Sequence, residues 1–79
     1  MEKYHNIRAT KFGYSRETVW FSFPASQYSK EEALSHFSTI TKYKLNRANG
    51  DSYPYTAYEY NGDEFYDIYY YGLEDFARE

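Results

Sequence analysis

The 79-residue sequence predicts one α+β domain spanning residues 1–79. Its expected architecture is a small, mainly antiparallel sheet of four to five strands with one principal helix packed on one face, in the order ββα(β)ββ with a short C-terminal helix. Three observations carry this. Residues 17–23, E-T-V-W-F-S-F, are dense in β-branched and aromatic side chains. Ser29-Lys30-Glu31-Glu32 has the spacing of a capping box ahead of a helical-period stripe. Eight of the twelve tyrosines lie between Tyr53 and Tyr71, on either side of Asn61-Gly62, a dipeptide suited to a tight hairpin turn.

In chain order, residues 4–12 alternate loosely and read as a first strand, with residues 13–16 as its turn. In the second strand Val19, Phe21 and Phe23 share one face, expected to be core, while Thr18, Trp20 and Ser22 share the other. Pro24 ends it, having no amide proton for the ladder. The helix is expected from about Lys30 to about Lys42, presenting Ala33, Leu34, Phe37, Ile40 and Thr41 as its buried stripe. His36 lies off that stripe, with no second histidine at i+4, and reads as a surface residue. Residues 42–48 fit a last helical turn or a short strand. Asn49-Gly50 favours the strand, entering a hairpin with 53–60. Pro54 marks the edge or start of the next ladder. Gly72 ends the last strand, and 73–79 read as a short acidic helix fastened by Leu73 and Phe76.

Aliphatic residues are few: Ile7, Val19, Leu34, Ile40, Leu45, Ile68 and Leu73 are all the Ile, Val and Leu present. The core must therefore be largely aromatic, with tyrosine hydroxyls kept at its rim. There is no cysteine, which removes disulfides, thiolate metal sites and a thiol nucleophile. No signal-peptide pattern opens the chain and no apolar run approaches membrane-spanning length, so the expectation is a cytoplasmic protein without membrane contact, in the host cytoplasm if phage-encoded. The net charge of −3 is unevenly divided. Residues 1–49 hold eight Lys/Arg against four Asp/Glu, and residues 50–79 hold one Arg against eight acids. Such a chain either neutralises itself by packing or presents surfaces of opposite sign.

A hairpin loop of even length places Tyr53, Tyr55, Ala57, Glu59, Tyr66, Ile68 and Tyr70 on one face. Thr56, Tyr58, Tyr60, Phe65, Asp67, Tyr69 and Tyr71 then fall on the other. One helix covers one face, so an exposed, acidic, tyrosine-lined face is expected opposite it. Its expected partner-binding residues are Trp20, Tyr58, Tyr60, Phe65, Tyr69 and Tyr71, with Glu64 and Asp67 as electrostatic guides. Trp20 serves equally well as cover for a strand end. No enzyme motif, phosphate loop or metal-ligand spacing occurs, so no catalytic residue, metal or cofactor is expected. Asp63, Glu64 and Asp67, with Asp51 and Glu59, read as solvated carboxylates rather than a cation site.

The expected function is a non-enzymatic protein-binding module whose acidic, tyrosine-rich face engages a basic site on a partner. In size, acidity and lack of enzyme motifs the chain resembles, in character, small phage-encoded inhibitors of host defence such as anti-CRISPR and DNA-mimic anti-restriction proteins; no motif aligns with them. The likeness implies an inhibitor that occludes a site normally taken by DNA or RNA. The rival is a small single-stranded nucleic-acid-binding domain, using Lys11-Phe12-Gly13-Tyr14, Trp20 and Phe21. A pI near 5.3 disfavours nucleic acid as the partner. A homodimer through the open face is a third reading.

Overall fold

A computed structural model describes residues 2–11, 17–52, 54–62 and 65–79, with backbone alone for 52 and 66. The elements are β1 (Tyr4–Lys11), β2 (Thr18–Pro24), α1 (Lys30–Thr41), β3 (Lys44–Ser52), β4 (Tyr55–Asn61) and β5 (Phe65–Glu74). The strands form one five-stranded sheet in the order β2-β1-β5-β4-β3, every pairing antiparallel. Among the described residues the molecule is thus a small antiparallel sheet with one helix, broadly α+β. β1 pairs with β2, β3 with β4 and β4 with β5, and β5 returns to lie beside β1, so that the first and last strands are neighbours inside the sheet and β2 and β3 are its edges.

Directly opposed residues on antiparallel strands point to the same side, so the register defines two faces. On one lie His5, Ile7 and Ala9 of β1, opposite Phe23, Phe21 and Val19 of β2, and opposite Leu73, Tyr70 and Ile68 of β5. This is the buried side. Ile7, Ala9, Phe23, Ile68 and Tyr70 belong to one core cluster with Phe65, Tyr43 and two residues of α1, Ala33 and Phe37. Phe37 meets Phe21 edge-to-face with ring centroids 5.0 Å apart, a geometry aromatic quadrupoles favour. His5 is buried with both ring nitrogens engaged: Nε2 lies 2.9 Å from the Tyr28 carbonyl and Nδ1 2.8 Å from the Tyr70 hydroxyl. A carbonyl only accepts, so Nε2 carries a proton, and in the neutral ring Nδ1 then accepts from the Tyr70 hydroxyl.

The helix begins as expected. Ser29 accepts from the Glu32 amide and the Glu32 carboxylate accepts from the Ser29 amide, closing the capping box. It ends at Lys42, whose φ of 61° is left-handed. Ala33 and Phe37 are buried and Leu34 packs against the cluster, but Ile40 is 53 % exposed, at the ragged end of the stripe.

Four expectations need correction. Asn49-Gly50 is not a turn, because β3 continues through it to Ser52. Register shifts fall at Asn46 and Asn49. The turn before β4 is instead at Pro54, whose fixed φ suits it. The C-terminal helix does not form: β5 extends to Glu74, paired with Tyr4, and the chain beyond it is irregular. A segment that short cannot repay helix nucleation against competing partners. The β4–β5 register pairs Thr56 with Tyr70, Ala57 with Tyr69 and Tyr58 with Ile68. Even numbers meet even, so the connecting loop has odd length and the two strands' faces combine differently from the expectation. Finally, a register shift between Thr10 and Lys11 opposes Lys11 to Phe65 and breaks the alternation of β5, turning Phe65 toward the core. The expected first turn, 13–16, lies outside the described residues.

Candidate functional site: the aromatic face

The face opposite the core is built from alternate residues of every strand. β2 supplies Trp20 and Ser22, β1 supplies Asn6, Arg8 and Thr10, β5 supplies Asp67, Tyr69 and Tyr71, β4 supplies Tyr55 and Glu59, and β3 supplies Arg47. Strand spacing brings their side chains within ring-contact distance across the sheet. Trp20 and Tyr71 meet at 5.0 Å, Tyr71 and Tyr55 at 5.5 Å, and Tyr55 and Tyr69 at 4.6 Å. A continuous aromatic row therefore runs diagonally over the sheet.

Two guanidinium groups are set into this row. Arg8, paired with Trp20 on one side and Tyr69 on the other, lies 4.5 Å from the Tyr69 ring, 5.5 Å from Tyr71 and 5.8 Å from Tyr55. Its Nε is buried and has no hydrogen-bond partner among the described residues. Arg78 lies 4.9 Å from Trp20, 5.0 Å from Tyr71 and 5.1 Å from Phe76. Each placement puts a weakly hydrated planar cation against ring faces, which favours arginine over lysine.

Arg78 reaches the face because the chain after β5 folds back over it. Asn6, fully buried, donates through Nδ2 to Glu74 Oε1 at 2.8 Å and to the Phe76 carbonyl at 2.9 Å. Its Oδ1 accepts from the Ser22 hydroxyl and, at 3.3 Å, from the Arg78 amide. Ser22 Oγ accepts from the amides of Arg78 and Glu79, each at 3.1 Å. The Arg78 guanidinium forks onto both Glu74 oxygens at 2.6 and 2.8 Å.

The electrostatics follow this geometry. The Arg78 hydrogen bond, with help from Asn6, holds the Glu74 carboxyl below its ordinary range against the opposing effect of burial. The same bond raises Arg78. Burial raises the Tyr69 phenol, and the neighbouring negative charge of Asp67 adds to it. Arg8, Arg47 and Arg78 offset Glu59, Asp67 and Glu74 across the face, and two of those pairs are direct: Arg47–Glu59 at 3.1 Å and Arg78–Glu74. The described face is balanced in charge, not acidic as expected.

Of the residues expected to form the site, Trp20, Asp67, Tyr69 and Tyr71 come together here. Tyr58 and Tyr60 pack against the core cluster and Phe65 belongs to it, so all three sit on the other side. Glu64 lies outside the described residues. Reasoning from the sequence missed Tyr55, Arg8, Arg78 and Asn6. The pairing of Arg8 with Trp20 was available from the β1–β2 hairpin; the other three depended on the β4–β5 register and on the path of the last residues.

Two surface hollows lie elsewhere, one of about 500 Å³ between α1 and the start of β3, walled by Leu34, Tyr43 and Leu45 with Lys42 and Lys44. The other, of about 570 Å³, lies among Glu2, Lys3, Ser26 and Leu73. Among the described residues no three potential metal ligands gather, and no helix is long and apolar enough to cross a membrane. No family model, curated protein or solved structure matches the chain.

Proposed function

We propose that this chain is a non-enzymatic protein-binding module that docks through the Trp20–Tyr71–Tyr55–Tyr69 face. In this reading α1 roofs the core side of the sheet and the aromatic side is left to a partner. The observation that carries the proposal is Arg8: a guanidinium lying among three tyrosine rings, with a buried Nε that nothing described accepts from. Tyr, Trp and Arg are the residues that dominate binding hot spots, and rings held by neighbours lose little entropy on docking. The balanced charge alters the kind of partner. The surface that fits offers apolar groups to the rings, a carboxylate or carbonyl to Arg8, and its own cations to Asp67 and Glu74; an array of unpaired carboxylates imitating DNA is a poorer description.

The test is capture of a partner from a lysate of the cell that encodes the chain, compared between the natural protein and Tyr55→Ala/Tyr69→Ala. Each hot-spot truncation is expected to cost about 1–2 kcal/mol, so the double variant should lose affinity by at least about tenfold. A partner held equally by both proteins would place the docking surface elsewhere. Single-stranded nucleic acid remains the second reading, favoured by the same cation among stacked rings. It predicts an oligonucleotide shift at low salt that Arg8→Gln abolishes; no shift at micromolar protein eliminates it.

A further inference from the structure

We propose that the groove filled by residues 76–78 is a docking site for an arginine-bearing extended segment of a partner protein, for which the chain's own Phe76-Ala77-Arg78 stands in. The inference rests on the aromatic face being a protein-binding surface, and it names what that surface reads. Asn6 brackets Ala77: its Nδ2 donates to the carbonyl before that residue and its Oδ1 accepts from the amide after it. This pattern reads main chain and leaves the middle side chain free. Ser22 extends the reading by accepting from the next amide. The residue after the middle one is read for its chemistry: the rings of Trp20 and Tyr71 flank the guanidinium, the strap's own Phe76 lies against it, and the Glu74 carboxylate forks onto it, a planar match that an ammonium cannot make.

The reading groups Asn6, Ser22, Trp20, Tyr71 and Glu74 all stand on β1, β2 and β5, so the site does not need the strap for its shape. The strap buries little apolar area, since Phe76 is 53 % exposed and its outer ion pair, Asp75 with Lys3 at 3.7 Å, is exposed on both sides. It is held by hydrogen bonds and a charge that any arginine peptide reproduces, and so it can be exchanged. Tyr71 touches both Trp20 in this groove and Tyr55 beyond it, making the groove continuous with the row around Arg8.

The test uses the full chain and a blocked Asp-Phe-Ala-Arg-Glu peptide, read by emission of Trp20, the only tryptophan. Arg78→Gln should bind the peptide at least about tenfold more tightly than the natural chain, whose tethered strap competes at high effective concentration. Replacing arginine by citrulline in the peptide should weaken binding by about tenfold or more, the scale of a desolvated cation–ring contact. Glu74→Gln in the same background should narrow that discrimination. Equal or absent responses from a folded Arg78→Gln chain overturn the inference, as does a concentration-dependent dimer exchanging straps. Should Arg78→Gln fail to fold, the natural chain decides: millimolar peptide must shift the Asn6 side-chain amide resonances, and no shift overturns the proposal. Capture that still depends on Tyr55 and Tyr69 while the peptide does nothing removes this inference alone; capture indifferent to both tyrosines removes the reading beneath it.

Discussion

A single glycine shows how tightly the rim of the core is fitted. A β-carbon on Gly62 would collide with the Tyr43 ring. That ring is stacked on Tyr60 at 5.6 Å and 9°, meets Phe65 edge-on at 5.2 Å, and its hydroxyl accepts from the Phe65 amide. Gly62→Ala must displace the ring and with it several contacts, and should destabilise by about 1–3 kcal/mol. Gly50, with nothing within 4 Å of its virtual β-carbon and no positive φ, is the control. Gly50→Ala should be neutral or stabilising by up to about 1 kcal/mol, because it narrows only the unfolded chain. Urea midpoints at constant m distinguish the two. Lys42, held at φ 61° where a β-carbon is strained, should move the other way: Lys42→Gly is expected to stabilise by about 1 kcal/mol.

At the scale of elements, what could be read from the sequence was what is decided locally. The capping box of α1 was legible because its two hydrogen bonds span three residues, and Ser29→Ala should cost about 1 kcal/mol and lower the thermal midpoint. The sidedness of β2 was legible for the same reason: Val19, Phe21 and Phe23 alternate without interruption and pack in or against the core. The β4–β5 hairpin was not. Its division into faces turns on whether the loop holds an odd or even number of residues, and one residue of difference exchanges every side chain of a strand. Tyr58 and Tyr60 consequently moved from the expected docking face to the core side, and Tyr55 moved the opposite way. Bulges compounded this: the chain near Lys11 turns Phe65 inward, and Tyr71-Gly72 together oppose Asn6, with Gly72 at φ 82°. The bulge beside Phe65 has no signal in residue type, whereas Gly72 is such a signal, since glycine inside a strand often marks a bulge rather than the strand's end expected there. The C-terminal strap was misread because Leu73 and Phe76 have helical spacing, whereas the amide of Asn6, remote in sequence, claims the backbone groups that a helix would need.

For the whole molecule, the basic first half and acidic second half meet across the β1–β5 seam and in the Arg47–Glu59 and Lys3–Asp75 pairs, while Arg78, the one cation of the second half, pairs within it to Glu74, so part of the polarity is neutralised within the fold. The exposed Arg47–Glu59 pair adds little. The seam sets how stability responds to pH at both ends of the scale. Glu74 has a folded pKa below its ordinary 4.5, so its contribution is present above that value and is lost as pH falls through the lower, folded one. Tyr70 behaves in the opposite sense. Burial, reinforced by Tyr58 and Glu31, pushes its phenol from 10.0 up to about 12. The folded state therefore keeps the Tyr70 proton while the unfolded chain releases it, and stability declines from pH 10 toward pH 12. Urea midpoints followed against pH should show a plateau with two shoulders, each diminished by one substitution. Glu74→Gln should flatten the acid limb and leave the alkaline one. Tyr70→Phe should lower the plateau, because His5 Nδ1 loses its donor, yet flatten the alkaline limb. An alkaline limb unchanged in Tyr70→Phe would mean that the buried phenol at the centre of the sheet is not the group that titrates there, and the Tyr69 phenol, also raised by burial, would be the next to substitute.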